Sequence, residues 1–77
     1  MNRNLIRAEL AQLLDLPLSA TTDELQLSHV GNWDSIVCVS LVAFLIGEFN
    51  CNIEVKKLMA IQTVADLWVL VEEGVML

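Results

Sequence analysis

GNWDSIVCVSLVAFLIGEF, residues 31–49, contains a run of eleven residues, 36–46, that is apolar apart from Ser40. The run is too short to cross a membrane, because a spanning helix needs about 20 residues. It predicts a buried or partner-facing helix that begins at Asp34 or Ser35, with Asp34 as N-cap, and ends at Asn50–Asn52. Apolar residues at steps of three or four predict one core stripe. That stripe comprises Ile36, Val39, Val42, Leu45 and Phe49.

A helix is predicted on each side of this segment. The first runs from about Asn4 to Leu14, capped by Asn2 or Asn4, and should stop near Asp15 because Pro17 disfavours a helical residue before it. The last begins at a capping-box pattern formed by residues 63 and 66 and should end at residue 74. The expected core residues of these two helices are Ile6, Leu10, Leu13, Leu14, Val64, Leu67, Trp68 and Val71.

Residues 18–33 show little periodicity. Structureless loops longer than about 12–15 residues are usually functional or packed by their own side chains. Leu25, Leu27 and Val30 are the expected anchors of this loop, and residues 53–58 fit either a strand or a short helix. The sequence therefore predicts an all-α protein: a small bundle of three to four helices with a long loop between helices one and two, in a single domain, 1–77.

The charge balance excludes several partners. Ten carboxylates against four basic residues give a formal net charge of −6. Nucleic-acid binding requires a basic surface, and an anionic membrane would repel this chain, so we expect neither. Cys38 and Cys51 lack a CxxC spacing. Residues 1–7 are polar and lead into the first helical pattern, so we expect no signal peptide. We therefore expect a cytoplasmic protein whose thiols are reduced and serve in packing.

Candidate catalytic groups are scarce. His29 is the single histidine, and no spacing supports its pairing with a serine or cysteine, so we expect no enzyme activity. Ser35 is more informative, since it places a hydroxyl at the first position of a helix. A phosphate ester there would lie near unpaired N–H groups and the positive end of the helix dipole. Asp-Ser begins many helices, however, so the pair alone is not specific.

The residues around Ser35 resemble a known signature. Residues 34–36, Asp-Ser-Ile, resemble the Asp-Ser-Leu motif of acyl and peptidyl carrier proteins, and Trp33 in front resembles the Trp-Asp-Ser variant of some peptidyl and D-alanyl carriers. Glu48-Phe49 is similar to the end of the family's second helix, and residues 61–64, Ile-Gln-Thr-Val, are similar to the opening of its last helix. The chain length is similar to that of a free-standing carrier.

The resemblance implies a covalent cofactor and a set of partners. A phosphopantetheinyl transferase would move 4′-phosphopantetheine from coenzyme A onto Ser35. By the same match, Asp34 helps to engage the transferase and its metal-bound coenzyme A, and Ile36 lies at the transferase contact. The thiol of the arm would hold an acyl, aminoacyl or peptidyl group as a thioester, received from a loading enzyme and passed to a downstream synthase or transferase.

The second helix departs from the pattern of fatty-acid carriers, which present acidic residues there. Only Glu48 is acidic in its interior. This favours a dedicated pathway, such as nonribosomal peptide, polyketide or aminoacyl transfer, and partner docking through apolar contact. The predicted partner-binding residues are Val37, Ser40, Leu41, Phe44 and Ile46. The alternatives to a carrier function are a helical interaction module or a degenerate carrier without prosthetic group. The alternative to partner docking is that the long loop or a second copy of the chain covers the apolar face of helix two.

Overall fold

The computed structural model describes residues 2–74, which form an all-α bundle and confirm the predicted class. Two short 3₁₀ turns lie in the long connection between the first two helices, and the segment 53–58 contributes to a short helix. No helix within this range is both long and apolar enough to cross a bilayer. The four helices are α1 (Arg3–Leu14), α2 (Ser35–Phe49), α3 (Val55–Ala60) and α4 (Val64–Gly74).

Helix α1 begins and ends where its sequence predicts. The Asn2 Oδ1 atom accepts a hydrogen bond from the Leu5 N–H at 3.1 Å, so Asn2 is the N-cap. At the other end Asp15 adopts a left-handed conformation with φ of 57°. The N–H of Leu16 then turns back to the Ala11 carbonyl at 3.0 Å, which pairs one of the last carbonyls of the helix.

Helix α4 begins with the predicted capping box. The Asp66 carboxylate accepts from the N–H groups of Gln62 at 3.1 Å and Thr63 at 3.2 Å, and the Thr63 hydroxyl accepts from the Asp66 N–H at 3.3 Å. These bonds hold the pKa of Asp66 below its ordinary value. The predicted end of this helix at Gly74 borders residues 75–77, which lie outside the described residues.

The long connection covers the start of α4. The N–H groups of Val64 and Ala65 donate to the carbonyls of Leu25 at 3.2 Å and Asp23 at 3.0 Å. The loop therefore supplies acceptors that the first turn of a helix lacks within itself. Leu27 is fully buried as expected. Leu25 and Val30 pack against the core with partial exposure, so all three predicted anchors are confirmed.

The core lies between α1, α2 and α4 and is closed by α3 and the loop. Leu13 is partly buried at its edge, whereas the other predicted core residues of α1 and α4 are buried. The predicted core stripe of α2 is wrong at Ile36 and Val39, which are 75% and 54% exposed. Leu45 is fully buried as predicted, and Val42 and Phe49 are partly buried against the core. The other fully buried side chains of α2 are Cys38 and Leu41.

Helix geometry explains this error. Successive residues of an α-helix turn by about 100°, so three steps of three residues, from Ile36 to Leu45, rotate the position by about 180°. A series of apolar residues spaced by three therefore winds from the solvent side to the core side. Because α2 is apolar nearly all round, hydrophobicity alone does not identify its buried face.

Substitution of alanine for each of two glycines is expected to change stability in opposite directions, because one glycine is closely packed and the other is not. A Cβ atom at Gly74 would lie 2.9 Å from the Ile53 Cγ1 atom and 3.0 Å from the Asn52 carbonyl oxygen, whereas at Gly47 nothing lies within 4 Å. We expect Gly74→Ala to lower the free energy of unfolding by about 1–3 kcal/mol through overpacking. We expect Gly47→Ala to raise it by up to about 1 kcal/mol, because alanine favours a helix interior. Urea denaturation measures both, and equal effects of the two variants would contradict this account.

Candidate functional site

Ser35 is the first residue of α2, and it is exposed to solvent. Asp34 has extended backbone angles, and its Oδ1 atom accepts a hydrogen bond from the Val37 N–H at 2.9 Å. Asp34 is thus the N-cap of this 15-residue helix, as predicted. The Ser35 hydroxyl therefore stands at the positive end of the helix dipole, where it is accessible to a second protein.

Two residues that precede Asp34 anchor this end of the helix. The Asn32 side-chain amide donates to the Leu14 carbonyl at 3.0 Å, which ties the loop to the C-terminus of α1. Trp33 packs against the core, and its indole N–H is buried without an acceptor among the described groups. From sequence, Gly31-Asn32 is no more than a turn signal. The bond of Asn32 spans eighteen residues, so no local pattern reveals it.

A polar network fixes the far part of the loop. Arg7 donates to the Thr21 carbonyl and, at 2.6 Å, to the Asp23 carboxylate, which also accepts from the Trp68 indole N–H at 2.9 Å. The guanidinium carbons of Arg3 and Arg7 lie 5.5 and 5.3 Å from the centroid of the Trp68 ring. The hydrogen bonds from Trp68 and Arg7 hold the pKa of Asp23 below its ordinary value. The network joins the loop to α1 and α4.

The predicted site residues separate into two groups. Asp34, Ser35 and Ile36 lie together at the exposed start of α2. The predicted partner-binding residues do not share one surface. Ile46 is 46% exposed, and Val37, Ser40 and Phe44 are partly buried. Leu41 is fully buried in the core, so its assignment to a surface is wrong.

The outward side of α2 presents a different set of apolar residues. We define the α2 apolar face as Ile36, Val39, Ala43 and Ile46, all of which are exposed. Their spacing of three, four and three residues keeps them on one side of a helix. Apolar periodicity predicts two of them, Ile36 and Val39, to be core residues. The face therefore begins next to Ser35 and continues along the helix.

The two cysteines are packing residues. Both are free and buried. Burial, with a smaller contribution from the Asp34 carboxylate, raises the pKa of the Cys38 thiol to about 11, and burial also raises the pKa of Cys51. A thiol with a raised pKa is protonated at neutral pH and is a poor nucleophile. Because both side chains are also buried, neither cysteine is accessible to carry a thioester itself.

Comparison with known proteins identifies the family. A family model described as "Phosphopantetheine attachment site" matches residues 4–68, from α1 into the first part of α4. No curated protein and no solved structure matches the chain significantly. Members of the family bear covalently attached 4′-phosphopantetheine, and such carrier domains are not themselves catalytic. The chain therefore belongs to the family of phosphopantetheine-binding carrier domains.

Proposed function

We propose that this protein carries acyl or aminoacyl groups as thioesters on a 4′-phosphopantetheine arm attached to Ser35, and that it has no catalytic activity of its own. The observation that supports the site is the exposed Ser35 hydroxyl at the first position of α2. The family match supports the arm. The burial of both cysteine side chains is consistent with a reactive thiol that the arm supplies.

The residues at the start of α2 fit a phosphodiester. Attachment forms a bond from the Ser35 oxygen to phosphorus, breaks the bond from that phosphorus to the nucleotide part of coenzyme A, and releases the hydroxyl proton. The negative charge on the product would lie at the helix N-terminus, which favours an anion by about 0.3–1 kcal/mol at an exposed site. Exposure of Ser35 also leaves the arm free to reach partner enzymes. When bound, the group supplies the thiol that forms the thioester.

Mass spectrometry tests the proposed function directly. The purified chain is incubated with coenzyme A and a promiscuous phosphopantetheinyl transferase, and the intact mass should rise by one phosphopantetheine group. A reagent specific for free thiols should then label the thiol of the arm in the product. The unloaded chain should react little, because Cys38 and Cys51 are buried. A folded chain that gains no mass would instead favour a helical interaction module or a degenerate carrier.

Asp34 is proposed to help engage the transferase in addition to capping α2. Asparagine caps helices about as well as aspartate but lacks the charge, whereas alanine loses both properties. We expect Asp34→Asn to retain the melting temperature and to slow loading at least tenfold. Asp34→Ala should slow loading similarly and also lower stability by about 1 kcal/mol. If Asp34→Asn loads at the normal rate, Asp34 only caps α2 and its charge has no part in engaging the transferase.

The proposed setting is a dedicated cytoplasmic biosynthetic pathway, such as nonribosomal peptide, polyketide or aminoacyl transfer. Two free cysteines are usual in a reducing compartment. In the interior of α2 only Glu48 is acidic, so this helix lacks the row of acidic side chains that fatty-acid carriers present to basic patches on their enzymes. The proposed partners are the transferase, an acyl- or aminoacyl-loading enzyme and a downstream synthase or transferase.

Partners are proposed to contact the exposed start of α2, including Ile36 at the transferase contact, and Ile46 further along. We expect the kcat/KM of loading by the transferase to change less than threefold between about 20 and about 150 mM salt, because apolar contacts are not screened by ions. At the higher concentration the Debye length is only about 8 Å, so an association driven by surface charge would be weakened. We expect Ile46→Glu to lower kcat/KM while circular dichroism remains unchanged. Glu48→Gln is the matched control and should have little effect. Strong salt dependence, together with a harmless Ile46→Glu, would contradict apolar docking.

A further inference from the structure

The side chain of Asn32 connects the segment that enters α2 to the end of α1. Its amide donates to the Leu14 carbonyl at 3.0 Å, across eighteen positions of the chain. Within the part of the chain that the structure describes, this is the only hydrogen bond that joins residues 28–33 to a distant part of the sequence. The segment leads directly to Asp34 and Ser35. One polar contact therefore fixes the approach to the candidate site.

The Leu14 carbonyl needs a partner from outside α1. The last four carbonyls of a helix lack partners within it. Those of Ala11 and Gln12 accept from N–H groups just beyond the helix, at 3.0 and 3.2 Å. The Leu14 carbonyl accepts instead from Asn32. The Asn32–Leu14 bond thus pairs a terminal carbonyl of α1 and at the same time holds the chain that enters α2.

The turn around Asn32 does not depend on its side chain. The Trp33 N–H donates to the Val30 carbonyl at 3.0 Å, so the backbone alone closes the turn over Gly31 and Asn32. Asn32 is exposed, and its φ is not positive, so other residues fit its backbone. Trp33 packs against the core independently. Loss of the amide should therefore remove the Asn32–Leu14 bond and leave the turn and the Asp34 cap in place.

We propose that Asn32 is a positioning residue for the loading of Ser35, because its bond to Leu14 holds the start of α2 in the orientation that a phosphopantetheinyl transferase binds. The proposal rests on the function proposed above. Without this bond the start of α2 would sample other orientations, and the apparent affinity of an enzyme falls with the fraction of competent molecules. Chemistry in the bound complex would be the same. Loss of the bond should therefore raise KM and leave kcat unchanged.

Loading kinetics test this expectation. Initial rates with coenzyme A, a transferase and increasing concentrations of the carrier give kcat and KM for the carrier. We expect Asn32→Ala to raise KM about fivefold, as for the loss of one hydrogen bond, and to change kcat by less than about twofold. Asn32→Gln keeps an amide donor and should restore most of the wild-type KM. Gly31→Ala is the matched control in the same turn and should load normally, since a Cβ atom there meets nothing within 4 Å.

Amide hydrogen exchange tests the positioning without the transferase. The Val37 N–H donates to the Asp34 carboxylate at 2.9 Å and reports the start of α2. The Leu16 N–H donates to the Ala11 carbonyl at 3.0 Å and reports the end of α1. In Asn32→Ala we expect exchange at Val37 to become faster, because the segment that carries the cap is less restrained. A role confined to the end of α1 would change exchange at Leu16 alone.

The outcomes separate this inference from the proposed function. If the wild-type chain gains no phosphopantetheine, the proposed function fails, and exchange at Val37 still decides whether Asn32 holds the start of α2. If Asn32→Ala does not fold by circular dichroism, Asn32→Leu, which is similar in size and lacks the donor, takes its place. Three results would overturn the proposal: a wild-type KM without the donor, no rescue by Asn32→Gln, or faster exchange at Leu16 with none at Val37.

Discussion

Replacement of Ser35 by alanine is expected to abolish phosphopantetheine loading completely, while the wild-type chain gains one group. The reason is chemical: alanine lacks the oxygen that would bond to phosphorus. Position 35 is exposed at the start of α2, so loss of the hydroxyl removes no core packing. Intact-mass measurement after incubation with coenzyme A and a transferase provides an all-or-none result.

Two other serines are matched controls for this experiment. Ser28 is exposed in the connection between α1 and α2, and Ser40 is partly buried in the second turn of α2. Ser28→Ala and Ser40→Ala should both load at rates close to that of the wild type. The proposed site is wrong if Ser35→Ala still gains the group, or if one of the two controls loses it instead.

Truncation of Leu45 should produce the largest loss of stability. Leu45 is fully buried on the inner side of α2. Replacement of a buried leucine by alanine costs about 2–5 kcal/mol, because transfer energy is lost and a cavity remains. A chain of this size has a free energy of unfolding of roughly 5 kcal/mol, so Leu45→Ala should be close to unfolded at room temperature. Urea denaturation followed by circular dichroism measures the change.

Val39 provides the control on the same helix. It is 54% exposed, and surface substitutions usually change stability by no more than about 0.5 kcal/mol. Val39→Ala should therefore leave the urea midpoint almost unchanged. Phe49 is only partly buried, and Phe49→Ala should have an intermediate effect. Comparable losses for Val39→Ala and Leu45→Ala would mean that the inner and outer sides of α2 are assigned incorrectly.

The local elements of this fold are predictable because their signals are local. Asn2, Asp34 and the Thr63–Asp66 capping box act on N–H groups within three or four residues, so sequence alone gives these helix starts. Pro17 similarly limits α1, which ends at Leu14. The position of Ser35 as the first residue of α2 follows from the cap that precedes it. The candidate site is therefore predictable from residues 31–36 alone.

Contacts between distant residues lie outside such patterns. The bond from Asn32 to Leu14 and the contact of Asp23 with Trp68 span eighteen and forty-five residues. Neither residue pair carries a local signature, because Asn and Asp are also ordinary loop residues. These contacts nevertheless hold the loop that leads to Ser35. Only the folded chain shows that the loop is fixed to α1 and α4.

The sequence by itself determined that α2 is a helix, where it starts and which serine it presents, because caps and apolar periodicity act over a few residues. The tertiary structure decided which side of α2 faces water. A helix that is apolar nearly all round has no preferred inner side until its neighbours pack against it. Packing against those neighbours buried Cys38, Leu41 and Leu45, and this left Ile36, Val39 and Ile46 exposed beside Ser35.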